Sequence, residues 1–294
     1  MRKGKPRMLV IGARGFLGHY TIRAAAADFD VIAANRDPQG RPGEVKLDLA
    51  DGNSVRTAFL ETRPDVVILM AAISDIDRCQ QFPQEAEEIN LRGAVRVADA
   101  CASHHARLVF ASTGAVFDGR THGYNEESPV SPLSVYGQTK AMAEKSVFAL
   151  VPSALVVRIA LAIGFAGGPE GNAVLDKLKK ELTAGKVVAF PVFEQRNPID
   201  AVTFCRCMLD LLKKDAQGIF HIGSQDSITR YDLGCRLAAR MGYPGQVVPQ
   251  HEPTPGRAPR GPDHFLLTDK LRAASMIPIP TCNEVIERCF DGLT

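Results

Sequence analysis

The chain has 294 residues, 45% apolar and 23% charged, with a formal net charge of +2. That size and apolar content suit one large or two unequal globular domains, and a near-balanced charge without long blocks of one sign makes nucleic acid and anionic membrane poor partners. No stretch reaches the roughly 18 apolar residues of a membrane span.

The basic start, MRKGKPR, is followed by MLVI, too short for a signal-peptide core, so a first strand is expected at RMLVI (7–11). A helical stretch through 24–27 follows, then strands DVIAA (30–34) and EVKLDL (44–49), and a helix near 54–61. VVILM (66–70) precedes a long helix near 85–104, then RLVFA (107–111), a Pro-rich loop, a helix from about 134 to 150, and ALVVRIA (154–160). Strands alternating with helices imply parallel strands joined by right-handed crossovers: an α/β, Rossmann-type doubly wound sheet. The strands are apolar throughout, as expected when both faces are covered.

Beyond residue 163 come a loop GFAGGPEG (164–171), a helix at 172–184, a strand KVVAF (186–190) and a helix at 199–214. GIFHIG (218–223) looks like another sheet strand, ITRYDLGCRLAARMG a helix, and PQHEPTPGRAPRGP a surface or ligand loop. Residues 1–163 therefore form the nucleotide-binding domain, to which 199–223 returns; 164–294 is mainly a smaller, discontinuous substrate domain. Seven scattered cysteines frame no disulfides, and Cys205 and Cys207 lack a matching His or Cys cluster, so no metal site is predicted and a reducing cytoplasm is expected.

VIGARGFLGHY places Gly12, Gly15 and Gly18 directly after the first strand and into the first helix. That context suits a pyrophosphate lying on backbone amides at a helix N-terminus, with Phe16 and Leu17 in the same turn. Arg14 and Arg36 suit the 2′-phosphate of NADP, the preferred cofactor, while Asp37 would hold the ribose of NAD instead. Asp48, with Leu49, sits where an adenine amine is bound, and Ala71 and Ala72 let a cofactor lie close to backbone. FASTGAVFDG closes the fifth strand with Ser112 and Thr113 in the crevice where open α/β sheets bind ligands. In SVYGQTK, Tyr136 and Lys140 share a helix face. The ammonium is expected to lower the phenol pKa, making Tyr136 a proton donor to a carbonyl that Thr113 polarises.

With GARGFLG, RPDVVILMAAISDID, INLRGAVRVADAC, RLVFASTGAVFDG, PLSVYGQTKAMAE, GIFHIG and APRGPDHFLLTDKL in order, the chain resembles the extended short-chain dehydrogenase/reductase superfamily. Within it, it is most similar to the dTDP-4-dehydrorhamnose reductase family. The resemblance implies Thr113, Tyr136 and Lys140 as the catalytic set, Lys140 also holding the nicotinamide ribose, and Asn90 as structural or part of a proton relay. It implies a nucleotide-sugar or small carbonyl substrate contacted near Val116, Phe117, Asp118, Arg196, Asn197 and Arg260; in many extended relatives, though less regularly in this family, helices matching 85–104 and 134–150 form the face of a homodimer. Gly114 and Ala115 replace the acidic and aromatic residues usual in that family. This argues against a 4,6-dehydratase, which needs an acid and a base there, and puts the deoxyhexose in question. An epimerase with retained cofactor stays open, as does a non-catalytic NADP-binding subunit like the regulatory subunit of methionine adenosyltransferase. His104–His105 reads as a helix C-terminal cap. Arg158, inside an apolar strand, is either an ion-pair partner or a substrate phosphate ligand.

Overall fold

The computed structural model describes residues 4–40, 43–166 and 174–291. Residues 167–171 of the predicted loop, and 172–173 of the helix after it, lie outside the described residues.

The first half runs β1 (Arg7–Ile11), α1 (Phe16–Ala25), β2 (Asp30–Asn35), β3 (Glu44–Lys46), α2 (Gly52–Thr62) and β4 (Val66–Leu69). It continues with α3 (Ile76–Gln81), α4 (Pro83–Ala86), a π-helical turn Glu87–Arg92, α5 (Gly93–His104), β5 (Arg107–Thr113), a 3₁₀ turn Gly114–Val116 and α6 (Val135–Leu150). Then come β6 (Leu155–Ile159), β7 (Leu161–Ile163), α7 (Val174–Thr183), β8 (Val188–Pro191), β9 (Gln195–Arg196), β10 (Pro198–Asp200) and α8 (Ala201–Lys213). The chain ends with β11 (Gly218–Ile222), β12 (Ile228–Thr229), α9 (Arg230–Arg240), β13 (Val247–Gln250), β14 (Asp263–His264), α10 (Asp269–Ala274) and α11 (Cys282–Arg288).

Seven strands form one sheet in the order β11-β6-β5-β4-β1-β2-β3, every pairing parallel. The strands are apolar on both faces because helices cover both. Met8 and Val10 of β1 join a core with Phe204 and Met208 of α8. Leu9 and Ile11, pointing the other way, join Phe59 of α2 and Val97 of α5. This is the doubly wound Rossmann-type α/β fold. The order reverses between β1 and β4, which opens a crevice at their C-terminal ends. Three small sheets stand apart from it: β7 with β10, β9 between β12 and β14, and β8 with β13.

Several element limits differ from the sequence reading. The single helix at 85–104 is interrupted: a π turn carries Asn90, whose Oδ1 accepts from Ile73 N (2.8 Å) while its Nδ2 donates to Ile73 O (3.0 Å). The wider turn lets that side chain grip the loop after β4. The strand expected at 154–160 divides at Ala160, and its second part leaves the main sheet for β10. The helix expected from 199 starts at Ala201, because Asp200 caps it through Thr203 N (2.8 Å). Among the described residues, no helix is long and apolar enough to cross a membrane, and no His, Cys, Asp and Glu group could hold a metal.

Candidate active site

Thr113 ends β5, and its Oγ1 accepts from Ala115 N (3.1 Å), starting the 3₁₀ turn. Ser134 caps α6 through Gly137 N (3.2 Å). A Cβ at Gly137 would sit 2.2 Å from Ala115 O, so glycine there allows α6 to press onto the turn. That approach sets the Tyr136 phenol beside the Thr113 hydroxyl, near enough for Thr113 to affect its ionisation. One turn further along α6, the Lys140 ammonium donates to Ala111 O (2.7 Å) and stands 3.8 Å above the Phe110 ring. Asn90 Nδ2 also donates to Thr139 Oγ1 (3.4 Å), tying the π turn to the same helix.

The electrostatics differ from expectation in sign. Burial pushes the Tyr136 phenol up to about 12, opposed by the neighbouring Thr113 hydroxyl and reinforced by Cys79. Burial pushes Lys140 down to about 7, opposed by Glu144. The expected lowering of the phenol by the ammonium is therefore corrected: desolvation dominates, and the ammonium is occupied by Ala111 O and the Phe110 face.

Glu144, one more turn along α6, was not anticipated. Arg158 donates to it from Nε (3.0 Å) and Nη2 (2.7 Å), and Ser112 Oγ donates to Oε1. Glu144 is 4% and Arg158 1% exposed. Of the two roles open for Arg158, the structure shows the ion pair. Tyr136, Lys140 and Glu144 repeat at i, i+4 and i+8, a same-face signal legible in the sequence.

At the crevice, Gly12 has φ +89° and an added Cβ would meet Ala71 N at 2.7 Å; at Gly18 it would meet Gly12 O at 2.1 Å. Gly15 is the N-cap of α1 and makes no side-chain cap; the first turn, with Phe16 and Leu17, holds no acidic residue. The turn thus leaves helix amides without a side-chain acceptor where the dipole favours an anion, which fits a dinucleotide pyrophosphate. Arg14 N donates to Asn35 Oδ1 (3.1 Å), and its guanidinium meets Asp37 O (2.8 Å) and Glu44 (3.3 Å). Arg36 is exposed and pairs with Asp37 at 3.3 Å. Both arginines border Asp37 at the end of β2, where an adenosine ribose would lie. Asp48 Oδ1 accepts from Ala50 N (2.9 Å), a turn-closing bond, and Leu49 is buried against Gly93. Ala71 N donates to Ile11 O (3.0 Å), and Ala71 and Ala72 are half-buried.

A cavity of about 100 Å³ opens beside Thr113 and Ala115, with Phe117, Glu194, Arg196, Arg230, Arg260 and His264 among its walls. Of the anticipated substrate residues, Phe117, Arg196 and Arg260 line it. Three do not. Val116 is fully buried with Tyr124 and Leu266. Asn197 has no exposed surface, its amide bonding Ser224 O (3.2 Å) and the backbone O (2.8 Å) and N (3.1 Å) of Leu266. Asp118 accepts from Tyr124 Oη (2.7 Å) and Arg120 N (3.1 Å). A motif shows that such residues lie near a site, not which way each side chain turns. His264 was also missed; burial, then Arg196, pushes its pKa down to about 3.

Comparison with known proteins places this geometry among relatives. Methionine adenosyltransferase 2 subunit beta of Danio rerio is 26% identical over 268 residues, covering 89% of this chain and 82% of that one. A Haloferax volcanii protein named probable low-salt glycan biosynthesis reductase is 27% identical over 244 residues, 81% of each chain. The dTDP-4-dehydrorhamnose reductase of Bacillus anthracis, solved in complex with NADP, superposes with a TM-score of 0.88 at 23% identity, covering 98% of this chain and 99% of that one, a likeness of fold. The profile described as the RmlD substrate binding domain matches residues 6–294, from the first strand through the Tyr–Lys helix to the C-terminus, and the chain belongs to that family.

Proposed function

We propose that the protein is an NADPH-dependent reductase of a nucleotide-linked keto-sugar, with NAD as the lesser cofactor. Gly12, Gly15 and Gly18, with Phe16 and Leu17, would hold the pyrophosphate; Arg14 and Arg36 would take the 2′-phosphate; Asp48 and Leu49 would border the adenine, and Ala71 and Ala72 would let the cofactor lie close to backbone. The bound cofactor supplies the hydride.

The observation that carries this reading is the close packing of the α6 start, with Tyr136, onto the turn that follows Thr113, with Thr113 itself on the wall of the cavity. Tyr136, held up to about 12, is a neutral phenol at physiological pH, the form that donates a proton to a carbonyl oxygen. Thr113 orients that phenol and the same oxygen. Lys140, at about 7, is poised to exchange protons near neutrality and to restore the phenol. The direction favours reduction over the deprotonation that opens an epimerase cycle. The reading extends to a cytoplasmic protein dimerising through α5 and α6.

The test is NADPH oxidation against a panel of nucleotide 4-keto-sugars, comparing the protein with Tyr136→Phe. Stoichiometric oxidation, reduced about 100-fold or more in the variant, is expected from loss of general-acid catalysis. Equal rates in both proteins would sink the assignment. A second reading, a non-catalytic NADP-binding subunit, is supported by the methionine adenosyltransferase relatives and by Gly114–Ala115, which present no carboxylate or phenol to a sugar. It predicts NADP binding with no turnover of any keto-sugar.

A further inference from the structure

The cavity is walled by three arginines, and two of them are already used. Arg196 donates from Nη1 to Gln195 O (2.6 Å) and Pro262 O (3.2 Å), and from Nη2 to Glu194 (3.0 Å) and Gly261 O (3.2 Å). Arg260 donates from both terminal nitrogens to Asp77 (3.0 and 2.8 Å) and from Nη1 to Ala258 O (2.9 Å). Arg257, just outside the cavity wall, also donates to Asp77 (3.1 Å). These arginines serve to fasten the strap 257–262 over the cavity.

Arg230 is different. Among the described residues its guanidinium makes no hydrogen bond or ion pair; it lies 5.6 Å over the Phe190 ring. That platform is built: a Cβ at Gly234, one turn along α9 on the same face, would meet Phe190 Cδ2 at 2.4 Å, so glycine there lets the ring lie against the helix below Arg230. The nearby acids are engaged elsewhere. Glu194 binds Arg196, Asp232 bonds Thr229 (2.7 Å), and Asp263 pairs with His122 (2.6 Å). Burial pushes the Arg230 pKa down, Glu194 opposes this, and Arg257 and Arg260 add to it. Four guanidiniums (Arg196, Arg230, Arg257, Arg260) face two carboxylates (Glu194, Asp77). A cavity of about 100 Å³ has room for a compact anionic group beside Arg230.

We infer that Arg230 is the ligand-reading cation of this cavity, binding a phosphate-class oxyanion that belongs to the substrate, in place of the two arginines that the motif suggests. This rests on the nucleotide-sugar reading for the source of the anion but not for its site. A planar guanidinium held on an aromatic face offers a fork that matches phosphate oxygens.

The test is calorimetric titration of inorganic pyrophosphate and of thymidine 5′-diphosphate, with NADP present to fill the glycine turn. The proteins are the parent chain, Arg230→Gln and Arg230→Lys, with thermal unfolding and NADPH affinity as folding controls. Loss of one charge-assisted contact predicts roughly 10- to 100-fold weaker pyrophosphate binding in the Gln variant, partly restored by Lys. Pyrophosphate binding by Arg230→Gln equal to the parent, or no binding by the parent, overturns the inference whatever the keto-sugar assay shows. Pyrophosphate binding that depends on Arg230, in a protein that reduces no keto-sugar, supports the anion site while the reductase reading falls.

Discussion

Replacing Arg158 with Met tests the buried ion pair behind the Tyr–Lys helix. Met keeps the apolar stem of the arginine, so the change removes the guanidinium with its charge and hydrogen bonds and leaves a small space where the fork lay. It leaves Glu144 buried, with two hydrogen bonds to Arg158 lost and the Ser112 hydroxyl as its remaining donor. An unpaired buried carboxylate of this kind costs about 3–5 kcal/mol, a large share of the roughly 5–15 kcal/mol that separates folded from unfolded domains. Also lost is the contact of the guanidinium with the Phe117 ring, 5.0 Å away, worth about 1 kcal/mol. In the double variant with Glu144→Gln, neither charge remains, and most of the penalty should disappear. Urea denaturation followed by far-ultraviolet circular dichroism gives all four corners of the cycle; with no Trp in the chain, indole fluorescence is not available. The expected coupling is about 2–4 kcal/mol. A single-variant loss below about 1 kcal/mol would refute the argument that the pair is dry and mutually dependent.

Two further outcomes follow from the geometry. Lys140 has a folded pKa of about 7 against 10.5 when free, so the folded state binds fewer protons between those values and stability should rise with pH across that window. Below about 7 the penalty is complete, and above 10.5 it vanishes; Lys140→Met should flatten this slope, and parallel stability–pH curves for the two proteins would contradict it. At Gly18, Ala would put a Cβ 2.1 Å from Gly12 O, so Gly18→Ala should weaken NADPH binding and destabilise by about 1–3 kcal/mol. Gly52→Ala, whose nearest neighbour would be 3.8 Å away, should be neutral or stabilising in the same titrations and melts.

Much of the fold is legible because burial on both faces leaves a simple trace. β1 can be read from RMLVI since Met8 and Val10 enter one core while Leu9 and Ile11 enter the other. The glycine turn is legible because crowding by Ala71 and Gly12 O forbids any side chain at Gly12 and Gly18. What escaped depends on distant partners. Asp77 and Arg260 are 183 residues apart, and nothing local in APRGP tells that its arginine is already engaged. Asn197 lies in a segment read from sequence as substrate-binding, yet its amide is consumed by Ser224 and Leu266. The sign of the Tyr136 shift was illegible for a related reason. Spacing on a helix reports that a cation is near, whereas burial and the competing acceptor Ala111 O decide which way the phenol moves.

The charges along α6 bear on direction. Tyr136, Lys140 and Glu144 stand on one face, and a bare Glu144 one turn from Lys140 would stabilise the ammonium strongly. Arg158 and Ser112 absorb most of that field, so Lys140 keeps a pKa of about 7 despite a carboxylate nearby. With the ammonium weakened, little opposes the desolvation that keeps Tyr136 protonated. Under the proposed reading, a helix charged this way holds its phenol as an acid and its lysine as the group able to reload it. The Arg158–Glu144 pair would then matter beyond packing. Arg158→Met, by freeing the Glu144 field, would raise the folded Lys140 pKa and so move the lower edge of the stability–pH slope upward, narrowing the window below the free value of 10.5.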